Sequence, residues 1–145
     1  MKILVLLHSL NRYVLLVLLL TVIYKSFTGW QKKSSFEKAD DKLSLFLFIS
    51  THTQLLLGLI LFFTSNVVIF SGESMKNHVL RYWLAEHSVG MLIAIVLISV
   101  GRISSKKLSE GSAKHKRLFI YNLIALIVII AVISQSDRGF FQVTM

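Results

Sequence analysis

Three apolar stretches of this chain each carry an imidazole beside other polar groups. His8 lies four residues before Arg12, His52 lies two before Gln54 and six before Gly58, and His87 directly follows Glu86, six beyond Arg81 and three before Gly90. Imidazole ligates iron, copper and zinc, and ionisable side chains inside apolar stretches are rare enough that each is a functional candidate. Residues four apart on a helix share a face one turn apart, so His8 aligns with Arg12 and Gln54 with Gly58. The Arg12 guanidinium stays charged and needs an acceptor, which Glu86 or an anionic cofactor group such as a haem propionate would supply.

The elements that must position these groups are membrane spans. The 145 residues are 54% hydrophobic and 16% charged, with mean hydropathy +0.70, well above a soluble domain. Apolar residues fall in four blocks, about 3–24, 43–64, 82–101 and 118–134, each close to the roughly twenty that cross a bilayer core as a helix. The reading is all-α: a transmembrane up-and-down four-helix bundle filling residues 1–145 as one domain. The first block follows Met1 and Lys2 like a signal peptide, but its length and its polar His8, Asn11 and Arg12 make it a retained helix. Without cysteine there is no disulfide, thiolate ligand or covalent haem attachment, and without proline no helix kinks for want of an amide donor.

Placement of the +9 net charge sets orientation. The connection 25–42 holds five lysines and 102–117 six lysines and arginines, against Lys2, Lys76, Arg81 and Arg138 on the other side. Eleven against four puts both basic loops in the cytoplasm and both termini outside. These charges meet lipid headgroups. Nucleic-acid binding is excluded as a reading, because no aromatics interleave the basic runs. The first loop offers Ser34, Ser35 or Asp40 as caps for the second helix. His78 reads as a surface histidine, and His115 as a solvated member of the AKHKR cluster.

Depth then sorts the imidazoles. His8 and His87 each enter their helices about five residues from the outer side, so they share one layer. His52 lies about 13 Å from the inner end of its span and about 18 Å from the outer end, roughly 10 Å deeper. Two histidines on facing helices can supply both axial ligands of a b-type haem, whose propionates could meet Arg12, Arg81 or water. His52 would then serve a second cofactor, a quinone or a proton relay. Gly90, Met91 and Ala94 form a small-residue stripe beyond His87, able to seat a neighbouring helix or a planar macrocycle. The fourth block, with Tyr121 and Asn122 near its inner end, closes the bundle.

The set His8-Ser9 with Arg12-Tyr13, Thr51-His52-Thr53-Gln54 with Gly58, Arg81 with Glu86-His87 and Met91, and Gly101 resembles a family of small bacterial four-helix membrane proteins labelled cytochrome b-like, loosely similar to b561-type cytochromes. The resemblance spans helices one to three. It implies an inner-membrane bundle that binds haem b through histidines and passes electrons between a quinone pool and a redox partner. The chain departs from the b561 pattern of four transmembrane histidines, since its fourth span has none, which argues against a second bis-histidine haem. Two other readings stand beside it. His8, His52 and His87 with Glu86 and Gln54 around one cavity would bind copper or zinc. Alternatively the same polar groups specify helix packing without a cofactor, in an accessory subunit or a homo-oligomer.

Overall fold

The computed structural model describes residues 2–136. Four long helices, α1 (Lys2–Gln31), α2 (Lys38–Thr64), α3 (His78–Lys106) and α4 (Gly111–Ser134), form an up-and-down bundle, and each is long and apolar enough to cross a membrane. Each expected block lies inside one helix, which overruns it at one end or both. At 1.5 Å per residue, the 30 residues of α1 extend about 45 Å, beyond a hydrocarbon core of about 30 Å. Outward residues such as Val14, Val17, Phe46, Leu56, Val96 and Ile127 are more than half exposed. Water would penalise that surface, whereas lipid does not. The chain is a multi-pass membrane protein.

Around the bundle, α1 touches α2 and α4, and α3 touches α4 and, more lightly, α2. Thus α1 and α3 face each other across the diagonal. The core draws on all four helices: Leu15, Leu19 and Val22 from α1, Leu47 from α2, Ala94 and Ile98 from α3, Ala125, Ile129 and Ile133 from α4. Hydroxyls in the spans mostly bond back to their own helix, as Thr51 does to the Leu47 carbonyl (2.7 Å), Thr53 to Ile49 (2.9 Å) and Ser99 to Ile95 (2.7 Å). This satisfies them without specifying a neighbour. Asn122 also bonds back, to the Leu118 carbonyl at 2.8 Å.

Helix boundaries differ locally from the sequence expectation. α2 is capped by Glu37, whose side chain accepts from the Asp40 amide while the Asp40 carboxylate accepts from the Glu37 amide (2.9 Å), a reciprocal capping box. The Ser35 hydroxyl donates to the Glu37 carboxylate, so Ser35 supports the cap rather than forming it. α3 starts earlier than Arg81: the Asn77 side chain accepts from the Val79 and Leu80 amides at 3.0 and 3.1 Å. At the end of α1, Lys33 adopts a left-handed φ of 51°, and the Ser34 amide reaches the Gly29 carbonyl (2.9 Å) while Lys33 reaches Trp30 (3.2 Å). That is a Schellman closure with lysine where glycine usually sits. α4 ends at Ser134, and Arg138 lies outside the described residues.

The end carrying both basic loops is pinned by two buried side chains. Arg102, 8% exposed, donates through Nη1 to the Asp41 carbonyl (3.1 Å), the Asp41 carboxylate (3.3 Å) and the Ser44 hydroxyl (3.0 Å). Its role is therefore to tie α3 to the start of α2. His115 is buried rather than solvated, at 3% exposure. Its ring occupies the space a side chain at Gly29 would take, since a Cβ there would stand 2.6 Å from the ring. It contacts Phe36 at 5.1 Å between centroids, and Nε2 donates to the Ser35 carbonyl at 3.1 Å. The lysines on either side made the position read as solvent-facing, but a helix turns neighbouring residues to different faces.

Candidate functional site

His8 and His87 meet across the diagonal near the opposite end of the bundle. Their ring centroids are 6.3 Å apart and the planes are inclined at 52°. Depth counting along two parallel helices anticipates this layer. A metal–imidazole bond of about 2.0–2.1 Å on each side, plus the half-width of each ring, gives roughly 6 Å between centroids. Two imidazoles ligating a single metal ion would have about this centroid spacing. Gly58 on α2 faces His8: a Cβ there would stand 3.5 Å from His8 Nε2, so the glycine keeps that flank of the imidazole free of a side chain.

Helix α3 is not regular where it delivers His87. Residues Tyr82–Glu86 form a π turn, and the His87 amide bonds to the Tyr82 carbonyl five residues back. Ser88 follows the same spacing, its hydroxyl donating to the Trp83 carbonyl at 3.2 Å. Tyr82 is 3% exposed, and its ring lies 5.8 Å from His87, with Trp83 5.2 Å away on the same imidazole. Such single π turns mark functional positions often. Nothing in the amino-acid pattern of YWLAE announces one.

The two charged partners resolve differently from the expectation. Glu86 pairs with Arg81, whose Nε donates to Oε1 at 2.7 Å, and not with Arg12. Arg12 lies one turn along α1 from His8; its Nη2 donates to the Tyr13 hydroxyl at 3.2 Å and its guanidinium lies 5.0 Å from that ring's centroid.

His52 and Gln54 do not join the pair. The His52 Nδ1 lies 2.9 Å from the Phe48 carbonyl, which can only accept, so Nδ1 carries the proton. Its ring lies 4.1 Å from that of Phe48. Gln54 is an interhelical clasp: Nε2 donates to the His8 carbonyl (2.9 Å) and Oε1 accepts from Asn11 Nδ2 (2.8 Å), which also reaches the Ser50 carbonyl (3.0 Å). Asn11 is the member that sequence reading passed over; its position three residues from His8 on α1 was the available signal. The clasp fixes the height of His8 against α2, since it grips the His8 backbone itself.

Gly90 serves helix packing. A Cβ there would lie 2.3 Å from a Val132 methyl on α4, and the stiff β-branched valine cannot swing away. Gly90→Ala is expected to cost about 1–3 kcal/mol, the usual penalty of overpacking. Val132→Ala in the same chain should return most of it, as measured by denaturant titration in detergent.

Among the described residues, no group of three or more His, Cys, Asp or Glu side chains is placed to hold a metal ion. The cavity imagined for His8, His52 and His87 with Glu86 and Gln54 is not assembled, because His52 and Gln54 are engaged elsewhere and Glu86 holds Arg81. A bare zinc ion wants three or four protein ligands, whereas a haem iron, already held by its macrocycle, would need only two. Two imidazoles from opposed helices, 6.3 Å apart between centroids, are the donors present. Comparison with protein-family models, curated proteins and solved structures gave no match.

Proposed function

We propose that this chain is a membrane b-type cytochrome holding one haem b between His8 and His87. The observation that carries this reading is the 6.3 Å separation of two imidazoles on diagonally opposed helices. Bound there, haem would supply a reversible one-electron carrier in a low-dielectric setting. The chain's own groups do the rest. Gln54 and Asn11 hold His8 at its height, Arg12 offers a cation to a propionate, and Gly58 leaves open the flank beside His8. The fourth helix closes the core without donating a ligand.

By the positive-inside rule the basic loops would lie in the cytoplasm of a bacterial inner membrane, with the haem layer near the outer face. Electrons would then pass between the haem and a membrane quinone or an external redox protein. The deciding measurement is a visible spectrum of the detergent-solubilised protein, oxidised and then reduced with dithionite. A Soret band with sharp low-spin α and β bands on reduction supports the reading. A colourless protein from haem-sufficient cells, which also takes up no added hemin, rejects it and leaves the polar groups as helix-packing devices.

A further inference from the structure

We infer that Arg81 and Glu86 are positioning residues: their ion pair locks the π turn that seats Tyr82 and Trp83 against His87. Only the haem arm of the test below rests on the cytochrome reading. Three successive pairs five residues apart come together here. Arg81 bonds Glu86 at 2.7 Å, Tyr82 lies against His87 at 5.8 Å, and the Trp83 carbonyl receives the Ser88 hydroxyl at 3.2 Å.

In an α-helix, at 3.6 residues per turn, residues five apart point about 140° away from each other. A π turn stacks them instead, so all three contacts exist only while the turn keeps its extra residue. Such turns are a small fraction of helical residues, and this one needs a compensating interaction. The Arg81–Glu86 pair supplies it, half-shielded at 39% and 29% side-chain exposure.

Release of the turn would swing the segment ahead of His87 and leave His87 in place. Beyond it, α3 is anchored by Gly90 on Val132, by Ala94 and Ile98 in the core and by Arg102 on α2. Of the first turns, from Asn77 to Glu86, one residue is buried, Tyr82. Tyr82 and Trp83 would therefore leave the imidazole, opening its layer to the near surface.

The chain has two tryptophans, Trp30 and Trp83, so Trp30→Phe makes Trp83 a site-specific probe. In that background Glu86→Gln is expected to raise the acrylamide quenching constant of Trp83 roughly two- to five-fold, the population shift a partly exposed ion pair can hold. Exchange of the charges, Arg81→Glu with Glu86→Arg, should return it to the parent value. Deleting Ala85 converts the turn to regular α-helix while keeping Tyr82 on the His87 face, so quenching should then be insensitive to Glu86→Gln. Unchanged quenching in Glu86→Gln overturns the proposal, as does a rise that neither the charge exchange nor the deletion reverses. If the protein carries haem, Glu86→Gln should also lower its reduction potential while leaving it low-spin, because the layer opens to water and His87 stays in place. Absence of haem in the parent protein defeats the cytochrome reading alone, because the Trp83 measurement needs none.

Discussion

Replacing either His8 or His87 with alanine is expected to abolish the low-spin Soret and α bands of the purified protein, whereas His78→Ala leaves them at parental intensity. The first two remove one of two facing donors 6.3 Å apart. His78 lies exposed in the first turn of α3 and faces no other imidazole. Alanine leaves an imidazole-sized space beside the remaining ligand, so free imidazole added during hemin reconstitution should restore the bands in each single variant and not in the double variant. Retention of a normal low-spin spectrum by both single variants would end the assignment. The effect is all-or-none because, among the described residues, His52 is not grouped with this pair and stacks on Phe48 of its own helix, and His115 lies at the other end of the bundle.

Arg102→Met should produce the largest loss of stability among single charge removals, about 2–3 kcal/mol by steric trapping or denaturant titration in detergent. Breaking a fully buried pair costs about 3–5 kcal/mol, and the lower figure follows because the Asp41 side chain remains 43% exposed and can recover solvent. Methionine keeps the volume of the stem, so the loss reports the guanidinium contacts to the Asp41 carbonyl, the Asp41 carboxylate and Ser44 rather than a cavity. Lys76→Met is the matching control: its pair with Glu73 is 77% and 83% exposed, and no measurable change is expected. Equal stability of Arg102→Met and the parent would show that α2 and α3 are held together without this contact.

The four spans were legible because hydropathy over twenty residues is a summed signal, insensitive to any one side chain. The histidine layer was legible for a related reason: in an up-and-down bundle with short loops, depth is a count along the helix, and His8 and His87 have matching counts. What resisted reading depends on rotation about helix axes and on neighbours far away in the chain. Arg102 counted only as a topology charge, because its partners Asp41 and Ser44 lie about sixty residues earlier. His115 looked solvated among lysines, but its environment is set by Gly29 and Phe36. Glu86 was assigned to Arg12 or a metal, and the π turn gave it to Arg81 instead. Gln54 carried a correct hint of hydrogen bonding, yet its partner Asn11 sits on another helix, and no local periodicity links the two.

The diagonal placement of α1 and α3 bears on biogenesis. Neither two-helix hairpin, α1–α2 or α3–α4, contains both imidazoles, so no half of the molecule can present the pair. During synthesis the first histidine is made some eighty residues before its counterpart, and it must wait in the bilayer until the third helix has been made. Any prosthetic group gripped by both would therefore be acquired only after α3 is made, and the two hairpins produced as separate polypeptides should each emerge without one and gain it only on being mixed.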